Sequence, residues 1–405
     1  MAETGYSRWR WFLGVILLLG VLGESLLWFA PSPVLTVIMA DLQIDLVWGG
    51  LLVSIVCLGI SGMSLLSAPL VSRVDAKYIF LAGLLLMSLG QIASLAIASS
   101  FSAIMTRVLV GLGMGLCLPI YGTLTMLNFP AEERPLLNTI FSATPYIATA
   151  LAYLATVPLF EVSGSWRLAM FWYGVFVIII ALAWGGISRI SKPSHMTRRR
   201  KEKNLLGIIF RNRQVKLLSV AYICDLWGFN FLSAYLPTYF TTEVGLSLAA
   251  SSALTSIFPI AGVIAGLGCG LWMTKIGLRK PFTWPMHLMI FVGTILAVLT
   301  TDLWRIVGIA MAGFGNAGWA PALFTMPMEF EGMTPERVGV TMAVFSAIGY
   351  MGAFVSPLVG GWLGEVFSLK VALLLFSLVS VLAAIVTFFM QETGPRRKKQ
   401  CRTIA

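Results

Sequence analysis

Three charged side chains lie inside long apolar runs of this sequence, where they could transfer protons or bind a charged solute. Glu24 interrupts the run GVLGESLLWFAPSP, Asp225 lies within AYICDLWGFN, and Arg107 begins RVLVGLG. An acid that is neutral while enclosed, and ionised when water reaches it, can carry a proton. An acid that stays ionised can instead pair with a cation. The pattern predicts that Glu24, Asp225 and Arg107 are proton-coupling groups or counter-ions of a substrate.

A structural role is the alternative for each of these residues. A buried ion pair or a hydrogen-bonded acid can hold helices together, and Arg107 could bond either Glu24 or a backbone carbonyl. Because two deep acids face a single deep arginine, one acid is left without an obvious cationic partner. The sequence therefore favours a chemical role for at least one of the two carboxylates.

Aromatic and amide side chains accompany these charges along the sequence. Trp28 follows Glu24 by about one helical turn, and Trp227 follows Asp225 closely. A tryptophan beside a carboxylate could hold a protonated amine by cation–π attraction, whereas a free Arg107 would suit a small anion, so the sign of the substrate's charge stays open. Packing or contact with lipid is the alternative. The candidates for lining a substrate cavity are Trp28, Tyr121, Tyr146, Trp227, Asn230, Asn316, Trp319 and Tyr350.

The composition of the chain indicates the environment of these residues. Of its 405 residues, 58% are hydrophobic and only 11% are charged, and the mean hydropathy is +0.89. A soluble domain is about a quarter charged, and no soluble packing hides so much apolar surface. The protein therefore lies in a lipid bilayer. Barrel strands are excluded because their signal is alternation over about ten residues, not a continuous apolar run.

Charged and turn-forming breaks divide the chain into twelve apolar runs, each close to the roughly 20 residues that a membrane helix needs. The first run is too long for the apolar region of a signal peptide and lacks a small-residue cleavage site, so we expect it to remain in the mature protein. The predicted spans 1 to 12 cover residues 11–40, 46–71, 78–98, 103–127, 137–160, 167–188, 216–242, 248–273, 281–300, 304–328, 338–363 and 368–391.

The distribution of basic residues predicts the orientation of these spans. With twelve spans, both termini and the even-numbered connections share one face, and 24 of the 28 lysines and arginines lie there. The positive-inside rule makes this face cytoplasmic, so we expect a multi-pass protein of the cell membrane with both termini in the cytoplasm. The basic stretch 188–203 lies between two spans, which indicates a loop on anionic lipid rather than a nucleic-acid site.

An internal repeat relates the two halves of the chain. An offset of 202 residues places GLGMGLCLP on GFGNAGWAP, and the basic loop after span 2 on the loop after span 8. It also places Glu24 next to Asp225, so each half carries an acid at nearly the same depth. Parallel repeats of this kind predict two bundles with a cavity between them near the membrane midplane. The predicted domains are an N-terminal six-helix bundle (1–188), a basic cytoplasmic linker (189–215), a C-terminal six-helix bundle (216–391) and a basic cytoplasmic tail (392–405).

The two basic loops carry versions of one motif, G-x-x-x-D-R-x-G-R-K/R. The second copy, GLWMTKIGLRK at 270–280, fits well, and the first, APLVSRVDAK at 68–77, fits in part. Ser72 and Thr274 replace the usual aspartate. Together with RVLVGLG at 107–113, which matches the fourth-helix pattern R-x-x-x-G-x-G, these motifs resemble the major facilitator superfamily over the whole chain.

The resemblance implies an all-α polytopic membrane fold of two pseudo-symmetric six-helix bundles, in which helices one, four, seven and ten line a central cavity. In overall pattern the chain is similar to cyanate/nitroimidazole-type transporters. The fifth helix lacks the Gly-Pro pair of drug/proton antiporters, since Thr144 precedes Pro145. The resemblance also implies a cytoplasmic gating motif, here Arg73, Lys77, Gly270, Lys275, Gly277, Arg279 and Lys280.

The sequence contains no set of residues that is typical of an enzyme's active site. The only histidines are His195 and His287, and there is no His-Glu-x-x-His pair, Walker loop or cluster of metal ligands. We therefore expect no cofactor and no metal, and an ATP-driven pump is excluded because no nucleotide-binding domain is present. A transporter-derived receptor is a minor alternative, which an assay of substrate uptake would separate from a working carrier.

The sequence as a whole predicts a monomeric secondary transporter that moves a small organic solute by alternating access, with symport of protons. Its partners would be the small-molecule substrate, protons and the lipid bilayer, and not nucleic acid. A drug/proton antiporter that exports cationic or amphiphilic compounds is the alternative.

Overall fold

A computed structural model of the chain describes residues 9–71, 73–130, 132–190, 211–330, 332–333 and 335–396. The described residues are largely helical and include no strand, which confirms the predicted all-α class. They contain twelve helical stretches that are long and apolar enough to cross a membrane, as the sequence predicts. Ser72, residues 191–210 of the predicted linker and the tail after residue 396 lie outside the described residues.

Each predicted span corresponds to one helical stretch, with ends that differ by a few residues. The N-terminal helices are Arg10–Phe29 with Leu35–Leu42 (span 1), Leu46–Val71 (span 2), Ala76–Ile92 (span 3), Ser100–Asn128 (span 4), Arg134–Ser163 (span 5) and Trp166–Ile187 (span 6). The C-terminal helices are Arg213–Thr242 (span 7), Leu248–Ile276 (span 8), Trp284–Leu299 (span 9), Asp302–Gly318 with Ala320–Glu329 (span 10), Pro335–Val366 (span 11) and Leu369–Phe388 (span 12).

Short polar side chains begin several of these helices. Ser99 and Ser102 form a capping box at the start of span 4, and Ser247 and Ser368 accept backbone amides at the starts of spans 8 and 12. Each of these side chains satisfies an amide that the first turn of a helix leaves without an intrahelical partner. The apolar runs therefore become helices whose ends are marked by polar residues at the membrane boundary.

Span 1 is interrupted near the end of its apolar run. Its first helix ends at Phe29, a single 3-10 turn covers Ser32–Val34, and a second helix begins at Leu35. Because Pro31 has no N–H, the carbonyl of Leu27, four residues earlier, loses the amide that would otherwise donate to it. An unpaired carbonyl within a bilayer is costly. A donor from elsewhere in the fold is therefore required at this point.

The chain divides into two compact units, residues 1–200 and 201–405. The same pairs of spans are neighbours in both units. In the first unit span 4 packs against spans 2 and 3, span 1 against spans 5 and 6, and span 3 against span 6. In the second unit span 10 packs against spans 8 and 9, span 7 against spans 11 and 12, and span 9 against span 12. The sequence repeat is therefore also a repeat of the helix arrangement inside each unit.

Glycines bring the backbones of these neighbours into direct contact at repeat-related positions. A Cβ atom on Gly111 of span 4 would overlap the backbone of Val56 in span 2, and one on Gly313 of span 10 would overlap the backbone of Phe258 in span 8. Both pairs are related by the offset of 202 residues. Close backbone approach through small residues is a common way of packing helices in membranes, where burial of apolar surface gives no driving force.

Ion pairs lie near the helix ends of the N-terminal unit. A hydrogen bond from the Arg10 guanidinium, whose Nη2 lies 2.7 Å from Oε1 of Glu133, lowers the pKa of Glu133 below its usual value. Arg167 Nη1 lies 2.7 Å from Oδ2 of Asp41, to which the Trp166 indole also donates. Because exposed pairs of this kind contribute at most about 1 kcal/mol each, the unit depends chiefly on helix packing.

The glycine contacts make a prediction about stability. In Gly313→Ala the new methyl group would meet the carbonyl of Phe258, so we expect a loss of about 1–3 kcal/mol and a lower melting temperature in detergent. Gly266→Ala in span 8 is the matched control, because a Cβ there meets nothing within 4 Å, and its melting temperature should not fall. Equal melting temperatures for the two variants would contradict the proposed close packing of spans 8 and 10.

Candidate functional site

Glu24 lies in the last two turns of the first helix of span 1 and is only 3% exposed. Tyr121 of span 4 is its neighbour, and the Tyr121 hydroxyl lies beside the carboxylate without hydrogen-bond geometry. Gly20 makes room for this arrangement, since a Cβ there would lie 3.3 Å from the Tyr121 hydroxyl and 2.8 Å from the Phe80 ring. Phe80 meets Tyr121 edge to face at 5.3 Å between ring centroids. An acid is thus enclosed against a phenol, with no cation bound to it among the described residues.

Arg107 of span 4 is buried, at 5% exposed, and supplies the donor that the interruption of span 1 requires. Its two terminal nitrogens donate to the carbonyls of Leu27 and Trp28, each at 2.7 Å, and Nε donates to the carbonyl of Leu52 in span 2 at 3.0 Å. Gln91 of span 3 accepts a longer bond at 3.4 Å. The partners of Arg107 are therefore mainly backbone carbonyls and not Glu24. The sequence leaves two structural partners open for Arg107, Glu24 and a backbone carbonyl, and in the structure the partner is a carbonyl.

Asp225 lies in the middle of span 7 and is partly exposed. The side-chain amide of Asn316 in span 10 donates to its Oδ1 at 2.9 Å, and the indole of Trp319 lies beside the same carboxylate. Asn316 and Trp319 are both buried, at 2% and 0% exposed. Among the described residues no lysine or arginine forms an ion pair with Asp225. The predicted residues Asp225, Asn316 and Trp319 are thus brought together within one unit.

His287 is a member of this cluster that the sequence analysis did not include. It lies in span 9, is completely buried, and its ring centroid is 4.7 Å from that of Trp319. Neither ring nitrogen has a hydrogen bond. Tyr222 of span 7 is a second addition, with its ring 6.5 Å from Trp319. The signal for His287 in the sequence is only that of an isolated polar residue in an apolar run, which does not indicate its neighbours.

Other predicted cavity residues contact neighbouring helices within their own unit. The Trp227 ring stacks on Phe376 of span 12 at 5.7 Å, and Asn230 donates to the carbonyl of Ala353 in span 11. Trp28 stacks on Phe29 at 4.7 Å and accepts from Arg107 through its backbone. Tyr146 of span 5 and Tyr350 of span 11 are partly buried. The structure thus separates Trp227 and Asn230 from the group around Asp225.

The loop between spans 8 and 9 holds the second copy of the predicted gating motif. Gly277 ends span 8 with φ of 69°, a conformation that favours glycine. The side chain of Arg279 donates to Glu329 at the end of span 10, with a shortest distance of 2.7 Å. Glu392, after span 12, accepts the backbone amides of Arg279 and Lys280 at 2.8 and 2.9 Å. Three chain segments of the C-terminal unit are therefore joined at this loop.

The remaining residues of the predicted motif make fewer contacts. A Cβ on Gly270 would lie 3.7 Å from the ring of Pro321, which is an ordinary packing distance, and Lys275 is exposed. In the first copy Arg73 is exposed, and Lys77 Nζ lies 4.0 Å from Asp75. In the described part of the first copy, Lys77 thus has a local ion pair and its carbonyl accepts from the Trp184 indole of span 6, whereas the second copy joins three chain segments.

A sequence profile of the Major Facilitator Superfamily matches residues 17–330 and 218–402 of the chain. This chain belongs to the Major Facilitator Superfamily. Relatives include the uncharacterized transporter YybO of Bacillus subtilis (strain 168), which is 23% identical over 74% of this chain and 76% of its own length. The 4-hydroxybenzoate transporter PcaK of Acinetobacter baylyi is 22% identical over 90% of this chain and 86% of its own length.

A solved structure with the same fold is that of a bacterial homolog of the human lysosomal transporter Spinster, in an inward-facing and unoccupied conformation. It superimposes with a TM-score of 0.80 at 15% identity, over 95% of this chain and 98% of the other. Membership of the superfamily makes the chain a multi-pass membrane transporter of small solutes and not an enzyme, as predicted.

The contacts of Arg107 make a prediction that separates stability from solute binding. In Arg107→Lys an ammonium group cannot reach three carbonyls from the same position, so we expect a loss of about 1–3 kcal/mol in thermal stability. Arg305→Lys is the control, because Arg305 donates one hydrogen bond, to the carbonyl of Thr300, and its contact with the Phe240 ring is one that an ammonium can also make. This variant should lose much less stability. A fully stable Arg107→Lys protein with altered solute specificity would instead support a counter-ion role.

The loop between spans 8 and 9 makes a second prediction. Glu392→Ala leaves the amides of Arg279 and Lys280 without their acceptor, so we expect these two amides to exchange with solvent about tenfold faster or more. Hydrogen–deuterium exchange of the purified protein measures this directly. Glu161→Ala, at an exposed position of the N-terminal unit, should leave both amides unchanged, and equal exchange in the two variants would show that Glu392 does not hold the loop.

Proposed function

We propose that this chain is a proton-coupled secondary transporter of a small organic solute, working by alternating access and favouring uptake by symport. Asp225 and Glu24 are the groups that take up and release the proton in this proposal. The observation that carries it is that each six-helix unit holds one acid at membrane depth with no ion pair among the described residues. An ionised carboxylate is costly in such a position, and its neutral form costs much less.

The surroundings of the two acids make Asp225 a better candidate for the coupling group than Glu24. Asp225 is partly exposed, and the Asn316 amide gives it one fixed hydrogen-bond donor. Glu24 is enclosed against Tyr121 and has one carboxylate oxygen without a hydrogen bond. Proton exchange requires access to water at some stage. Asp225 is therefore the first candidate for the coupling group, and Glu24 the second.

The cellular setting of the transporter is also part of the proposal. The even-numbered connections and the termini carry 24 of the 28 basic residues, which supports a cell-membrane location with both termini cytoplasmic. The domains proposed are the bundles 1–188 and 216–391, with a basic linker and a basic tail. Protons are the proposed coupling ion, and a monomer is the proposed working unit.

Export of a cationic compound in exchange for protons is the second candidate function. It is favoured by the aromatic neighbours of both acids, Tyr121 for Glu24 and Trp319 for Asp225, because a ring beside a carboxylate can hold a protonated amine. The name of the relative PcaK points instead to an aromatic carboxylate as substrate. 4-Hydroxybenzoate and tyramine are therefore suitable first probes, since they are similar in size and opposite in charge.

Proteoliposomes test the coupling role of Asp225. With an acidic outside and an alkaline inside, we expect the wild type to accumulate the transported probe, and a protonophore to prevent this. Asp225→Asn should reduce this accumulation to the level with protonophore, while exchange of labelled for unlabelled probe continues, because the substituted side chain holds no proton to release. An antiporter would accumulate its probe under the opposite gradient.

Asp302→Asn is the matched control for this experiment. Asp302 is exposed at the start of span 10 and has a φ of 49°, which asparagine adopts readily, so the variant should accumulate probe as the wild type does. Accumulation that is unchanged in Asp225→Asn would refute the coupling role of this acid.

A further inference from the structure

His287 is a fully buried imidazole that the transport proposal above does not use. It is 0% exposed, and neither Nδ1 nor Nε2 has a hydrogen-bond partner. Buried polar atoms of folded proteins almost always have a partner, either in the protein or in an ordered water. An imidazole whose two nitrogens both lack a protein partner therefore indicates either bound water or a role that requires a changing set of partners.

The neighbours of His287 connect it to the acid of the same unit. Trp319 lies against the His287 ring with 4.7 Å between centroids, and it also lies beside Asp225. Its indole Nε1 has no hydrogen bond in satisfactory geometry. The Asp225 carboxylate, which Asn316 bonds, is thus followed by two groups without a hydrogen bond, the indole of Trp319 and the imidazole of His287. Ordered water beside the two rings would supply the missing hydrogen bonds.

Asp225 and His287 lie at different depths in the C-terminal unit. Spans 7 and 9 begin at the same face of the unit, because the single span between them, span 8, returns the chain to that face. Asp225 lies about 18 Å along span 7 from Arg213, whereas His287 lies about 5 Å along span 9 from Trp284. His287 is therefore nearer to the face that carries the basic loop with Lys280, and Asp225 is nearer to the middle of the unit.

We propose that His287 is a second proton-carrying group, which exchanges the coupling proton with Asp225 through water. The inference rests on the proposed proton coupling. The Asp225 carboxyl loses its proton to a water, one imidazole nitrogen takes up a proton from that water, and the other nitrogen releases its own toward the face with Lys280. The relay leaves an ionised Asp225 carboxylate and a neutral imidazole with its proton on the other nitrogen, the released proton carries the balancing positive charge, and no other reactant is needed. Trp319, which contacts both groups, positions them.

Few other titratable groups surround His287. Span 7 contributes Asp225 and Tyr222, and span 8 contributes Cys269, which lies near Gly318. Spans 9 and 12 have no other titratable side chain within their helices except Lys370, at the far end of span 12. Span 10, which packs against span 9, carries Asp302 and Arg305 at its far end and Glu329 at its near end, where Glu329 is paired with Arg279. Asp225 is therefore the acid in this group that can respond to the charge of the imidazole.

The small number of histidines makes a direct test practical. The chain has only two, and His195→Gln leaves His287 as the sole imidazole, so ¹⁵N-histidine labelling gives one set of ring signals in an NMR spectrum. We expect these signals to move between about pH 9 and about pH 5, as for an imidazole that gains a proton. In Asp225→Asn the midpoint should move to lower pH by about half a unit or more, because the carboxylate that favours the protonated ring is absent.

Thr294→Val is the matched control, since Thr294 is a buried polar residue of span 9 whose hydroxyl bonds only its own helix at Ile290. Its midpoint should equal that of the His195→Gln parent. Ring signals that stay fixed over the whole pH range, or a midpoint that Asp225→Asn does not change, would overturn the role of His287.

The two proposals fail in distinguishable ways. Loss of driven accumulation in Asp225→Asn together with fixed His287 signals would refute only the second proton carrier. A shared titration of His287 and Asp225 with normal accumulation in Asp225→Asn would refute the coupling role of the acid, and the histidine would then lose its function in transport.

Discussion

The hydrogen bonds from Arg107 to the carbonyls of Leu27 and Trp28 are the polar interaction that allows span 1 to be interrupted within the N-terminal unit. A helix interrupted inside a bilayer exposes backbone acceptors that no water can satisfy, and the guanidinium satisfies two of them from one rigid plane. The same contact fixes span 1 against span 4, and Glu24 and Tyr121 lie on these two spans. The placement of the acid is therefore a consequence of how the interruption is satisfied.

The two units use one helix arrangement but different side chains around their acids. In each unit the carboxylate lies on the first span and its polar neighbour on the fourth, which is Tyr121 in one and Asn316 in the other. These neighbours are not related by the offset of 202 residues, whereas the glycine contacts at Gly111 and Gly313 are. The repeat has thus preserved the contacts that set the distance between backbones, and the chemistry around the acids differs.

The sequence predicts the helices well and their side-chain contacts poorly, for physical reasons. Span positions depend on local hydropathy, and a glycine repeat reports close packing wherever it occurs, so both are readable from residues near in sequence. The partners of Arg107 depend instead on an interruption some 80 positions away, and proline alone does not indicate that a helix breaks, since span 4 continues through Pro119. The association of His287 with Trp319 depends on how spans 9 and 10 are rotated against each other, which hydropathy does not encode.

Pro31 and Arg107 are therefore a matched pair, although they lie on different helices. With an ordinary residue in place of the proline, the Leu27 carbonyl would recover an amide from its own helix, and the guanidinium would have less to satisfy. Without the arginine, the proline would leave an acceptor unpaired in hydrocarbon. Natural variants of this transporter should therefore change the two positions together, and a lineage that straightens its first helix becomes free to use the arginine for some other purpose.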